Sequence, residues 1–294
     1  MAVNPLRLLQ EQGQSIWLDN LTRRMLREGF LKKLIEEDGI SGVTSNPAIF
    51  QKAMTEGTIY DQAIRELADM GLPAEAIYEA MAVRDIQDAC DLFRPTHERA
   101  NGTDGFVSLE VSPSGANDTK ATIEEARRLW RSVNRPNAFI KIPGTPEGVH
   151  AIRQCLAEGI NINITLLFSL QAHQDVMEAH LSALEERARS GESVAGVASV
   201  ASFFLSRIDT LVDKKLDAIG SPEAHSLRGR AAIASAKIAY QNWKATYQGP
   251  RWEALQALGA RVQKPLWAST STKDPAYPDV KYVEPLIGPQ TINT

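Results

Sequence analysis

Short apolar segments recur along this chain, separated by longer stretches of helical character, and that rhythm leaves few architectures open. The short segments are SIWLDN (15–20), ISGVTSN (40–46), GFVSLEVS (105–112), AFIKIP (138–143), INITLLF (162–168), VAGVASVASFF (194–204) and KPLWAST (264–270), with TINT (291–294) as a candidate eighth. Residues 21–37, 57–99, 118–133, 146–158, 169–189 and 222–247 between them read as helical. Regular strand–helix alternation implies a parallel sheet covered by helices. About eight strands in a chain of this length favour a closed barrel. An open doubly wound sheet would place a glycine-rich phosphate turn after its first strand. Here that strand ends in Leu18-Asp19-Asn20, with no GxGxxG. No repeat or linker divides the sequence, so the expected fold is α/β, a single-domain (β/α)8 TIM barrel.

Strands buried on both faces normally read as continuous apolar runs. Several here are interrupted at every second residue. Ala138, Ile140 and Ile142 alternate with Phe139 and Lys141; Val107, Leu109 and Val111 alternate with Ser108 and Glu110. Ile162, Ile164 and Leu166 alternate with Asn161, Asn163 and Thr165, and Ile16 and Leu18 with Trp17 and Asp19. Side chains change face with period two along a strand, so one face can pack on helices while polar groups point into the barrel. An unpaired buried charge is costly, so these groups should meet one another, water or a ligand. Most sit toward the C-terminal ends of their strands, where barrel active sites are built. A structural ion pair of Lys141 with Glu110 or Asp19 would account for the lysine alone. Several polar strand ends together point instead to a site.

An inward lysine beside carboxylates suggests covalent amine catalysis. In a partly desolvated pocket some of the amine is neutral and can attack a carbonyl. The protonated imine draws electrons from a neighbouring carbon–carbon bond, and a carboxylate can take the hydroxyl proton as that bond breaks. A phosphate site is also available. Ser202, Ser206 and Arg207 follow the sixth strand, and Ser269, Ser271 and Lys273 the seventh, the region where barrels often bind phosphate. The plain alternative is that Ser202 or Ser206 caps a helix and Arg207 lies on the surface.

Composition narrows the classes further. The net charge is −4 and no Lys/Arg run forms a basic patch, which argues against a nucleic-acid partner. No apolar stretch reaches the roughly 20 residues needed to span a bilayer, and the N-terminus has no leader pattern. Cys90 and Cys155 lie far apart; Cys155 follows an apolar period with Ala151, Ile152 and Leu156 and reads as a packed thiol. Two cysteines suit a reducing cytoplasm. His173 and His180 are too far apart for a ligand pair on one helix, so no metal is expected.

At this point the motifs resemble a known family. GVTSNPAIF (42–50) is similar to the asparagine motif of the transaldolases, and FIKIPGTPEG (139–148) to the motif around their Schiff-base lysine. IWLDN, FVSLEVSP, NINITLLFS, SFFLSRID and LWASTSTKDP follow in the same order, so the resemblance runs from about residue 14 to the end. The opening GQSIWLDNLTRRML looks most like a bacterial branch, some of whose members are fused to a glucose-6-phosphate isomerase domain.

The resemblance implies roles by position. Lys141 would form the imine with a ketose donor, and Asp19 would take and return the proton of the C4 hydroxyl. Glu110 and Thr165 would hold a catalytic water. Asn46 and Asn163 would bind donor hydroxyls and the imine region, and Ser202 and Arg207 the substrate phosphate. On the seventh strand Ser271 and Lys273 fit best, with a one-residue shift and a lysine for the family's arginine, and Ser269 competes. The implied reaction transfers a dihydroxyacetone unit from sedoheptulose 7-phosphate or fructose 6-phosphate to an aldose phosphate, in the non-oxidative pentose phosphate pathway. It needs no cofactor, and its partners are sugar phosphates, with the enzyme a monomer or homodimer. The related fructose-6-phosphate aldolases are shorter and carry a tyrosine in place of Glu110; a barrel that only binds sugar phosphates would not need the lysine. The family also continues past its last strand into a final helix and a covering segment. The chain from 1 to 294 is therefore expected either to be a C-terminally truncated barrel lacking that helix or to do without that cover.

Overall fold

A computed structural model describes residues 4–294. In chain order it runs α1 (Pro5–Glu11), β1 (Gln14–Asp19), α2 (Arg23–Arg27), α3 (Phe30–Lys33), β2 (Gly42–Thr44), α4 (Pro47–Thr55), α5 (Asp61–Asp69), α6 (Ala74–Arg99), β3 (Val107–Glu110), α7 (Thr119–Val133) and β4 (Ala138–Pro143). It continues α8 (Pro146–Ala157), β5 (Ile162–Leu167), α9 (Leu170–Arg189), β6 (Ser199–Phe204), α10 (Ser206–Ile219), α11 (Pro222–Ser226), α12 (Ala231–Thr246), α13 (Pro250–Ala257), β7 (Lys264–Ala268) and β8 (Thr291–Asn293). The eight strands are parallel and closed in sequential order, with β8 pairing to both β7 and β1. Each segment expected to be a strand contains one, and TINT supplies the eighth. Helices α1, α4, α10 and α13 fall outside the stretches read as helical.

The two faces of the sheet divide as the alternation requires. Ile16, Leu109, Ile140, Ile142, Ile162 and Ile164 belong to the large core between strands and helices. Trp17, Phe106, Phe139, Val200, Leu266, Ala268 and Ile292 form a second cluster inside the barrel. The Phe106 and Phe139 rings stack with centroids 4.2 Å apart, and Trp17 lies 6.1 Å from Phe139. Trp17, Phe139 and Val200 each precede a polar residue of the same face by two positions: Asp19, Lys141 and Ser202. At about 3.3 Å per residue this sets an apolar floor some 6–7 Å beneath the polar layer. Gly42 is Trp17's register partner. A Cβ there would lie 2.5 Å from the indole, so only glycine admits the ring.

One strand departs from simple alternation. The β5–β6 register shifts between Ile164 and Leu167, and Leu166 takes a left-handed φ of 61°. Such a bulge inserts one residue and turns the chain after it. Leu167, not Leu166, therefore packs in the outer core, while Leu166 is exposed at the barrel mouth. The expected outward place of Leu166 is corrected accordingly. Asn161 serves the opposite end of β5. It donates to the carbonyls of Pro136 and Ala138 and accepts from Ala198 N at 2.9 Å, tying together the chain leading into three strands.

Both cysteines are free and buried, and burial pushes each thiol up to about 12. Among the described residues no helix is long and apolar enough to cross a membrane, and no group of metal-ligating side chains forms. His173 and His180 are buried on α9. Among the described residues neither nitrogen of His173 has a partner, and its ring meets Phe203 edge-on. His180 Nδ1 accepts from the Tyr247 hydroxyl at 2.9 Å. Burial lowers their pKa values from 6.5 to about 4 and about 3 respectively. Between those values and 6.5 the unfolded chain binds protons that the folded chain does not, so stability falls as pH falls through that window. Each ring should contribute a loss of ~1 kcal/mol per pH unit there. Urea unfolding between pH 4.5 and 7 should show a shallower slope for His173→Leu than for the parent. Identical slopes would remove His173 from the account.

Candidate active site

The C-terminal ends of the strands surround a cavity of about 480 Å³. Its wall includes Asp19 from β1, Glu110 from β3, Lys141 from β4, Thr165 from β5 and Ser202 from β6. Asn46, Arg207, Ser269, Ser271 and Lys273 come from the segments that follow strands. Of the twelve candidate site residues singled out in the sequence, ten line this cavity, all but Ser206 and Asn163. Asn163 lies beneath the wall, fully buried.

Register explains the centre of the site. Glu110 pairs with Lys141, and Lys141 with Asn163, across three neighbouring strands. Same-face side chains at paired positions stand side by side. Lys141 Nζ lies 3.1 Å from Glu110 Oε2 and donates to the Ser45 carbonyl at 3.0 Å. The pair foreseen as a structural alternative therefore exists, but it opens onto the cavity rather than closing a core. The lysine side chain is only 8% exposed. Asn163 sits below it as a brace. Its amide donates to Ser108 Oγ at 2.9 Å and its oxygen accepts from Ser202 Oγ at 2.8 Å. Burial raises the pKa of Asp19, with the Lys141 ammonium pulling in the opposite direction. Raising a carboxylate's pKa brings it closer to the work of a proton shuttle near neutrality.

The loops are shaped by capping. Asn46 is the N-cap of α4 and accepts from Ile49 N at 3.0 Å, with Pro47 as the first helical residue. This spends the amide oxygen on the helix and fixes the side chain at the cavity edge. Thr145 caps α8 in the same way, accepting from Gly148 N at 2.9 Å. A Cβ on Gly148 would lie 2.0 Å from the Pro143 carbonyl, so the turn leaving the lysine strand needs glycine there. Neither Ser202 nor Ser206 caps α10. Leu205 occupies that position without a side-chain bond, Ser202 lies within β6, and Ser206 meets Ser269 Oγ at 2.9 Å. Arg207 is exposed, its guanidinium 5.8 Å from the Phe204 ring and without a carboxylate partner among the described residues. Lys273 Nζ donates to Ser271 Oγ at 2.7 Å.

Other lining residues escaped the sequence reading. Thr44 is Asp19's register partner, and its buried hydroxyl has no partner among the described residues. Two steps back along the strand from Asn46 would have found it. Two steps forward from Ser202 would likewise have found Phe204. Leu166 and Lys52 also line the wall. The left-handed bulge and a position on α4 left no comparable signal. Tyr78, on α6, has its hydroxyl pushed up to about 12 by burial and the Glu110 charge.

This arrangement offers an amine, two carboxylates and a threonine in one cavity, with a basic, hydroxyl-bearing edge on the side of β6 and β7. It can carry imine chemistry on a polar ligand with an anionic end. A family model described as Transaldolase/Fructose-6-phosphate aldolase matches residues 16–294. A "Transaldolase 2" of Nostoc sp. is 51% identical over 303 aligned positions, covering 100% of this chain and 80% of the relative. The transaldolase of Thiobacillus denitrificans is 54% identical over 96% of this chain and 79% of its own. That of Mycobacterium tuberculosis is 48% identical over 100% of this chain and 79% of its own.

Proposed function

The chain belongs to the transaldolase/fructose-6-phosphate aldolase family and acts as a transaldolase, and on that premise we propose that Lys141 carries the transferred three-carbon unit as an imine. The observation that carries this reading is the amine of Lys141 held 3.1 Å from Glu110 at the base of a cavity also lined by Asp19 and Thr165.

The donor is a ketose phosphate, sedoheptulose 7-phosphate or fructose 6-phosphate. The neutral amine adds to its C2 carbonyl, and water leaves as the imine forms. Glu110 and Thr165 hold the water that moves protons in this step and in the final hydrolysis. Asp19 then takes the proton of the C4 hydroxyl. The C3–C4 bond breaks, its electrons pass toward the imine nitrogen, and an aldose phosphate departs. The remaining enamine attacks the aldehyde of a second aldose phosphate, and Asp19 returns the proton to the new hydroxyl. Asn46 binds donor hydroxyls, and Asn163 supports the imine region from below. Ser202, Arg207, Ser271 and Lys273 form the phosphate end, with Ser269 beside them. The proposed catalytic unit is one barrel, as monomer or homodimer, working in the cytoplasm without a cofactor.

Borohydride reduction with fructose 6-phosphate tests the reading, because it converts the imine to a stable secondary amine. We expect an adduct on the peptide that contains Lys141. No mass increase there would refute the covalent step. Steady release of free dihydroxyacetone from donor alone would instead indicate an aldolase.

A further inference from the structure

The segment between β7 and β8 edges the cavity and carries Ser271 and Lys273. Over residues 269–283 it contains neither helix nor strand. Local turns bond Tyr277 N to Asp274 O and Lys281 N to Pro278 O, but without a ladder to a neighbouring strand its placement depends on side-chain and loop ties. Three of those ties lead to one face of α10. Ser206 N donates to Ser269 O at 3.1 Å and the two hydroxyls meet at 2.9 Å. Tyr282 donates to Asp209 Oδ2 at 2.8 Å, and Tyr277 donates to Asp213 Oδ2 at 2.6 Å. Positions 206, 209 and 213 follow helical spacing and so lie in one row. All three are buried.

The carboxylates are fully engaged. Asp209 Oδ1 accepts from Ala232 N and Asp213 Oδ1 from Gly229 N, each at 2.8 Å. Each of the four oxygens therefore receives one donor, which offsets the cost of burying both charges. Gly229 has a φ of 65°, and a Cβ there would lie 2.8 Å from the Tyr277 ring, so the turn before α12 also supports that tyrosine. Burial and Asp213 push the Tyr277 hydroxyl up to about 12, which keeps it a donor at neutral pH. The same helix that carries this row presents Arg207 to the cavity.

We propose that this face of α10 is a clamp that fixes the spacing between Arg207 and the Ser271–Lys273 pair, with Tyr277 and Tyr282 as positioning residues for phosphorylated substrates. The proposal rests on the assignment of Arg207, Ser271 and Lys273 to the phosphate end. Neither tyrosine lines the catalytic cavity; each acts through the segment it holds.

The test is the double variant Tyr277→Phe/Tyr282→Phe, which removes two hydroxyls and keeps the rings. KM for fructose 6-phosphate and for glyceraldehyde 3-phosphate should rise about tenfold, the scale of losing one charge-assisted contact. The turnover number should stay within about twofold, because the imine end is untouched. KM for unphosphorylated glyceraldehyde should not change. Tyr277→Phe alone should give a smaller shift in the same direction. Unchanged KM values, or equal losses with the phosphorylated and unphosphorylated acceptors, would overturn the clamp, the latter marking a merely structural role. Arg207→Ala and Lys273→Ala separate this from the assignment beneath it. If they raise KM for phosphorylated substrates and the tyrosine variants do not, the clamp alone falls. If they leave KM unchanged, the phosphate assignment falls and the clamp with it.

Discussion

Lys141→Met abolishes transfer: the rate with fructose 6-phosphate and erythrose 4-phosphate falls by on the order of 10⁴ or more, as expected when a covalent nucleophile is lost. The cavity's other lysines, Lys52 and Lys273, come from α4 and from the segment after β7, so neither occupies the strand position beside Glu110 that Lys141 holds. Methionine also leaves Glu110 without its cation at 3.1 Å. The loss of a partly buried pair should lower stability by roughly 1–3 kcal/mol, which denaturant unfolding would measure. Lys141→Arg separates the two effects. A guanidinium keeps positive charge beside Glu110 but remains protonated and forms no imine. We expect it to fold like the parent and stay inactive. Substantial transfer by the arginine variant would mean that the charge, not the amine, does the chemistry.

Asp19→Asn keeps the shape and removes the proton acceptor. Turnover should fall by about 10²–10⁴, the usual contribution of a general base. Imine formation should survive, because Glu110 and Thr165 still stand beside Lys141, so borohydride should still trap the donor. That split separates Asp19 from Lys141, whose loss removes both signals. The pH profile gives an independent readout. Cleavage needs the ionised aspartate, and burial raises its pKa. The acid limb of the parent's turnover should therefore be shifted upward from the ordinary value of an aspartate and vanish in the asparagine variant. Loss of trapping in parallel with turnover would place Asp19 in imine formation instead.

Much of this was legible because parallel barrel strands obey a strict parity. Lys141, Glu110 and Asp19 stood out as polar residues on faces whose neighbours were apolar, and closure of the barrel brought their strands together. Thr44 and Phe204 obeyed the same parity and needed only one more step along their strands. Leu166 could not be found this way. A left-handed residue in mid-strand is usually announced by glycine or asparagine, and leucine gives no such signal. Asn163 was correctly turned inward, but its depth depends on Ser108 and Ser202 meeting it from two other strands, which no single segment encodes. Arg207 was visible as a residue, and a helix capped by Ser202 or Ser206 was one reading of the stretch after β6, but the local sequence did not show that Leu205 takes the cap position of α10 and turns Arg207 to the cavity. The tyrosine ties across residues 269–283 connect positions more than 60 residues apart in sequence and have no local signature at all.

The aromatic floor has a consequence for the order of events. Trp17, Phe106 and Phe139 pack across the barrel beneath the polar layer, so the site is a well with one mouth rather than a tunnel. The first aldose must leave by the route through which the second arrives. Two sugar phosphates cannot queue on opposite sides of the imine. The architecture thus favours a double-displacement sequence, in which the loaded enzyme waits, empty-mouthed, between partners. The lifetime of that waiting state then bears on whether the three-carbon unit is delivered or lost to water.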